Sequence, residues 1–225
     1  MKRSPSDEKI LCYNDVVLRR SDLDILSGRR YVNDRILEFF VSYLTTTYPS
    51  QDLLLVPPAI SFWIINSPDK EGLHEFLRPL KLPDKKLVLF LVNDNEDFTL
   101  AGGGSHWSLL VYNREPNAYA HHDSNGGMNG PSAVKLASIM APYFSADNVG
   151  EVRYVEAGDS PQQINGYDCG MYVASTAEIL CKWWRQKGEG SDLWMKGVNE
   201  QVTASSVAQM RNHILGLIET LRFNQ

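Results

Sequence analysis

Cys169 stands in the stretch "INGYDCGMYVASTAEILCKWW" (164–184), between the turn formers Asn165, Gly166 and Asp168 and a run that favours a helix. A thiol placed there sits at a helix N-terminus, where unpaired backbone N–H groups favour the thiolate. A thiolate nucleophile needs a base, commonly His, and a third group to orient that base. Of the five histidines, His74 and His213 fall within helical patterns and read as surface or half-buried residues. His106 opens a strand directly after "AGGGS" (101–105). Glycines there let backbone approach closely and leave the imidazole reachable. The strand at 105–114 and a second at 117–124 flank a short turn and read as an antiparallel hairpin. Pairing about residue 115 brings residue 106 beside 123–125, so Asp123 lies near His106 and could hold its Nδ1–H. His121 shares the Asp123 face of that strand and remains a competitor, whereas His122 points to the opposite face. The charge of Asp168 opposes a neighbouring thiolate. The helix terminus and an imidazolium act the other way and are expected to prevail.

The elements that must position these groups follow from periodicity. Residues 31–49 form a helix with Asn33 as N-cap and Ile36, Leu37, Phe40, Tyr43 and Leu44 on one face. Residues 57–83 carry two short helices broken at Pro68, and "KKLVLFLVND" (85–94) is a buried strand. A helix over 132–144, a strand over 151–157, the helix from Cys169 to about 186, a break at "GEGSD" (188–192) and a closing helix over 205–223 complete the order. Residues 13–26 read as a strand or turn entering the domain. Helices, then strands, then helices indicate an α+β protein.

The bulk numbers bound the function. A chain of 225 residues, 43% hydrophobic, sustains one sizeable core, so a single domain over 10–225 behind a flexible tail at 1–9 is expected. The net charge of -5 argues against a nucleic-acid partner and permits a basic protein partner. The three cysteines, Cys12, Cys169 and Cys181, are odd in number and form no C-x-x-C. On one helix Cys169 and Cys181 would stand about 18 Å apart, too far to bridge. A reducing compartment, cytoplasm or nucleus, is expected. Residues 1–9 are polar with no apolar segment behind them, so no secretory signal is visible. The longest clean apolar run, "LVLFLV" (87–92), is too short to cross a bilayer, so no membrane association is expected. "AGGGSH" lacks the Lys-Ser/Thr of a phosphate loop. "HHD" has no second close pair of ligands and the chain has no HExxH, so neither metal nor cofactor is expected. The residues alone leave open whether Cys169 is a nucleophile or a buried structural thiol.

At "GGGSHWSLLVY", "HHDS" and "PQQINGYDCGMYV" the chain resembles the Ulp/sentrin-specific cysteine protease family, most closely its deneddylase branch, which acts on the ubiquitin-like modifier Nedd/Rub. The family pattern falls on His106-Trp107, Asp123, Gln163 and Asp168-Cys169-Gly170, and "PLKLPDKKLVLFLVNDN" (79–95) is similar to the same branch. The likeness spans roughly residues 10–185 and is weak beyond them. It implies a papain-like fold with a central, mostly antiparallel sheet flanked by helices. It implies that Cys169 attacks the carbonyl after a C-terminal Gly-Gly, that His106 moves the proton, that Asp123 orients His106, and that Gln163 and the Cys169 N–H hold the oxyanion. Trp107 would cover a narrow tunnel. Tyr31, in "YVND" (31–34), stands where the family has Trp in W-x-N-D, with Asn33 and Asp34 beside it. Asp34 would meet a basic residue of the modifier's tail, unless it serves only the first turn of its helix. The acidic stretch "NDNED" (93–97) could do similar work, with Asn93 as a further expected substrate contact. The implied partners are Nedd/Rub and its conjugates, such as neddylated cullins, met by a monomer. A SUMO- or ubiquitin-directed protease, a cysteine acyltransferase and a non-catalytic binding module are the alternatives.

Overall fold

The structure is a computed structural model that describes residues 5–67, 70–97, 99, 102–144, 152–187 and 193–224. Strands β1 (Lys9–Tyr13) and β2 (Val16–Arg19) form an antiparallel hairpin. Its turn puts Asn14 and Asp15 at φ 44° and 70°, a left-handed conformation that short polar side chains tolerate. Helix α1 (Arg20–Ser27) follows, so the stretch expected as a strand or turn is a hairpin and a helix. Residues 1–4 of the expected tail lie outside the described residues. The rest of it is ordered: Pro5–Asp7 make a 3-10 turn, Lys9 pairs with Arg19, and the Glu8 carbonyl accepts from Arg20 N at 2.9 Å. Helix α2 (Asp34–Thr47) starts as expected, with Asn33 Oδ1 accepting from Ile36 N at 3.1 Å.

Strand β3 (Leu53–Val56) is too short to declare itself in sequence. Helices α3 (Pro58–Asn66) and α4 (Lys70–Leu77) are the two short helices expected, and Pro68, where the break was expected, lies outside the described residues. Strands β4 (Leu87–Asn93), β5 (Trp107–Asn113) and β6 (Ala118–His122) follow. Helix α5 (Gly130–Phe144) begins slightly before the expected Ser132, and β7 (Arg153–Glu156) is short and mostly exposed. Helix α6 (Cys169–Lys187) carries both Cys169 and Cys181. The expected break at 188–192 lies outside the described residues. Helices α7 (Leu193–Gln201) and α8 (Ala204–Phe223) close the chain.

The main sheet runs β3-β4-β5-β6-β7. Its two inner contacts, β4/β5 and β5/β6, are antiparallel, and its two outer contacts, β3/β4 and β6/β7, are parallel. It is therefore mixed rather than mostly antiparallel. The helices α3 and α4 separate β3 from β4, and α5 separates β6 from β7, which gives the long crossovers that parallel pairs require. The run Leu87 to Val92 is buried on both faces. Leu87, Leu89, Leu91, Leu109 and Val111 join a core with α1, α2, α6 and α8. Val88, Phe90, Val92, Leu110 and Tyr112 join a second core with α3, α4 and α5. This packing fixes the register of the hairpin, in which Leu109 opposes His122. The end of β4, the start of β5 and the end of β6 thus meet at one edge of the sheet, where α6 begins.

Candidate active site

Packing against the sheet places the first turn of α6 over the start of β5. Cys169 is 1% exposed and His106 2%. His106 Nε2 lies 2.6 Å from Asp123 Oδ1, and the ring also hydrogen-bonds the Cys169 side chain. The expectation that Asp123 holds Nδ1 is corrected: the carboxylate takes Nε2, which leaves Nδ1 for the thiol. Asp123 is itself fixed, since Oδ1 accepts from Asn125 N at 2.8 Å and Oδ2 from Asn129 N at 2.8 Å. Burial raises the Asp123 pKa, but the bonds from His106, Asn129 and Asn125 outweigh it and hold it below the usual carboxylate range. For His106, burial acts against the charged ring. The bonds to Asp123 and then Cys169 overcome that and lift its pKa to about 9, so the ring is an imidazolium at neutral pH.

The competing histidine is accounted for. His121 is fully buried, with Nδ1 2.8 Å from Glu156 Oε2 and Nε2 2.9 Å from Ser108 Oγ. His122 faces Ser160 Oγ at 3.0 Å, and burial pushes its pKa down to about 4, with His121 adding to the effect. Neither histidine is the ring at the thiol. Among the described residues, no three His, Cys, Asp or Glu side chains converge as a metal site would require.

The glycine-rich loop is held from behind by residues that the sequence alone did not single out. Asp94 Oδ1 accepts from Ser105 N at 2.6 Å and His106 N at 3.0 Å, and Oδ2 accepts from Ser105 Oγ at 2.6 Å. Burial opposes the Asp94 charge, yet these bonds keep its pKa low. Asn129 Nδ2 donates to the carbonyls of Val92 and His106 and to Ser108 Oγ, tying β4, β5 and the loop after β6 together. Gly104 has φ +82°, and a Cβ there would run into the Asn93 and Asp94 side chains. Gly104→Ala should therefore pull His106 out of line and lower kcat/KM by roughly tenfold or more. An unchanged value in steady-state assays would show that the clamp does not set the ring.

Trp107 and Tyr31, the residues expected to line a tunnel, are both held by hydrogen bonds near the start of β5. Trp107 is 4% exposed, and its Nε1 donates to the Val32 carbonyl at 2.9 Å. Gly170 lies under both, since a Cβ on it would meet Val32 Cβ at 3.1 Å and Trp107 Cδ1 at 3.4 Å. Asn93, which pairs with Trp107 in the sheet, donates from Nδ2 to Tyr31 Oη at 3.0 Å and to the His106 carbonyl at 3.1 Å. Burial and then the nearby charge of Cys169 raise the Tyr31 pKa, so it stays a neutral phenol. Asn33 uses its side chain within the fold: Oδ1 caps α2, and Nδ2 donates to the fully buried Asp22 at 2.8 Å. Asp34 is exposed on the first turn of α2. Gln163 is fixed by Ser124, whose Oγ donates to Oε1 at 2.9 Å, and it donates from Nε2 to the Asn165 carbonyl at 2.8 Å. That bond uses one of the two Nε2 hydrogens.

The charge of Asp168 is met by a residue that sequence reasoning missed. Arg211 of α8 approaches Asp168 Oδ1 at 2.8 Å, and Asn165 Nδ2 donates to Oδ2 at 2.8 Å. One signal was available: Arg211 falls on the stripe of Val207, Met210, Ile214 and Ile218, the face of α8 that enters the core.

Comparison with known proteins agrees with this geometry. The model of the Ulp1 protease family's C-terminal catalytic domain matches residues 30–199. The chain is 47% identical over 223 residues to NEDD8-specific protease 1 of Arabidopsis thaliana, covering 98% of this chain and 97% of that protein. It is 32% identical over 219 residues to human sentrin-specific protease 8, covering 96% and 98%. Sequence similarity thus extends past residue 185, where the expected likeness weakened. The crystal structure of the Ulp1 protease domain in complex with Smt3, the yeast ortholog of SUMO, superposes with a TM-score of 0.67 at 18% identity, over 97% of this chain and 90% of that one, and shows the same fold. The chain belongs to the Ulp1 protease family and is a cysteine protease.

Proposed function

We propose that this chain hydrolyses the bond after the C-terminal Gly-Gly of a NEDD8-type ubiquitin-like modifier, both in its precursor and in its lysine conjugates. The observation that carries this reading is the buried line Cys169, His106 and Asp123 beneath Trp107. The 47% identity to a protein named as NEDD8-specific supports the choice of modifier. The thiolate of Cys169, paired with the His106 imidazolium, attacks the carbonyl carbon. The Cys169 N–H at the start of α6 and the Gln163 amide stabilise the oxyanion. His106 then gives its proton to the leaving amine, and a water deprotonated by the same ring releases the acyl group. A tunnel between Trp107, tied to Val32, and Tyr31 would admit only residues without side chains. Asp34 and the Asn93 segment face incoming basic residues, in keeping with the net charge of -5.

Conjugates such as neddylated cullins are the proposed physiological substrates, met by a monomer in cytoplasm and nucleus. Initial rates on C-terminal fluorogenic conjugates of NEDD8, SUMO and ubiquitin, at matched concentration in reducing buffer, test the reading. Rapid turnover of NEDD8 alone is expected. A preference for SUMO or ubiquitin would overturn the choice of modifier and keep the mechanism.

A further inference from the structure

Arg211 is 7% exposed and points from α8 into the junction of three segments. Its Nε donates to Asp168 Oδ1 at 2.9 Å, on the residue before the nucleophile. Its Nη2 donates to the carbonyls of Tyr167 at 3.0 Å and Arg30 at 2.7 Å, and its Nη1 to that of Ile25 at 3.3 Å. The guanidinium also lies 5.6 Å from the centre of the Tyr167 ring. The planar fork thus joins the turn that delivers Cys169 to the segment that delivers Tyr31 and Val32. Only a guanidinium has enough donors in one plane to span these acceptors. Asp168 in turn receives Met171 N and Tyr172 N on its carbonyl, at 2.8 and 3.0 Å, and so starts α6.

We propose that Arg211 is a positioning residue for the hydrolytic reaction: it neutralises Asp168 beside the nucleophile and fixes the Cys169 turn against the Tyr31 wall of the tunnel. This rests on the thiol-protease reading above. The charged and titratable groups facing the Cys169–Asp168 corner are His106 with Asp123 behind it, Tyr31, Tyr167, Tyr172 and Arg211. Arg211 is the permanent cation of this set. Without it, the buried Asp168 carboxylate loses the cation that faces it, one residue from the nucleophile.

The test compares Arg211→Met, Arg211→Lys and the double variant Arg211→Met with Asp168→Asn. The readouts are iodoacetamide alkylation of Cys169 at pH 7, conjugate turnover and thermal unfolding. Arg211→Met should slow alkylation and kcat by roughly tenfold. The double variant should recover alkylation to within about threefold of wild type, because the uncompensated charge is gone. Arg211→Lys keeps the cation and loses the fork, so it should alkylate near the wild-type rate and raise KM. A merely structural role would lower the unfolding temperature of Arg211→Met with alkylation unchanged, or leave the double variant as slow as the single one, and either result overturns the proposal. Should Arg211→Met fail to fold, tenfold slower alkylation in Arg211→Lys would overturn it equally. Alkylation needs no modifier, so a wild-type chain that alkylates but cleaves no conjugate faults the substrate reading and not this one.

Discussion

Cys169→Ala should reduce turnover of a NEDD8 conjugate by about 10⁵-fold or more while leaving modifier binding intact. In the proposed mechanism the Sγ atom is the reacting group, and neither of the other two cysteines stands in its place. Cys181 lies along the same helix in the core, where burial first and Glu178 second raise its pKa to about 12. Cys12 lies on the β1 hairpin, away from the first turn of α6. The hydrogen bonds that hold Trp107 and Tyr31 do not involve the thiol, so the proposed tunnel should still thread a glycine tail in the truncated site. Isothermal titration with the modifier and single-turnover assays separate the two effects. Residual cleavage within tenfold of wild type would remove Cys169 from the role of nucleophile.

Asp123→Asn should cost about 10²–10⁴-fold in kcat/KM and also move the pH profile. The sign follows from His106. Its pKa of about 9 is an excess over the ordinary value, and the carboxylate is the chief reason that burial does not lower it. The active pair contains the imidazolium, so wild-type activity should fall as pH rises through about 9. Without the Asp123 charge the ring loses its proton nearer neutrality, and the alkaline limb moves down. An Asn side chain also presents an N–H where Nε2 or a backbone N–H donates, so the ring tautomer changes. A profile whose alkaline limb stays in place in Asp123→Asn would show that another group sets it.

Three groups of the candidate site were legible because each carries its own local signal, whereas Gln163 came only with the family resemblance. Cys169 follows turn formers at a helix start, His106 follows glycines, and hairpin arithmetic alone brings Asp123 to it. The ring nitrogen was not legible, because strand pairing fixes which residues meet but not how an imidazole is turned between them. One outer strand of the sheet, β3, was hidden, whereas β7 falls inside the strand expected over 151–157. β3 is only four residues long, and its parallel partner β4 comes only after the intervening helices α3 and α4. Asp94, Asn129 and Arg211 escaped notice because polar residues that hold a loop from behind have no periodicity of their own. Arg211 did break an apolar stripe, which marks a buried charge whose partner sequence alone cannot name.

Trapping with NEDD8 that carries a C-terminal electrophile tests the central claim most directly. Incubation of the wild-type chain with this probe, followed by peptide mass spectrometry, should give one covalent adduct, located on Cys169. The adduct should vanish in Cys169→Ala. An adduct on Cys12, or a chain that binds the probe without reacting, would contradict the account that Cys169 attacks the carbonyl after the modifier's last glycine.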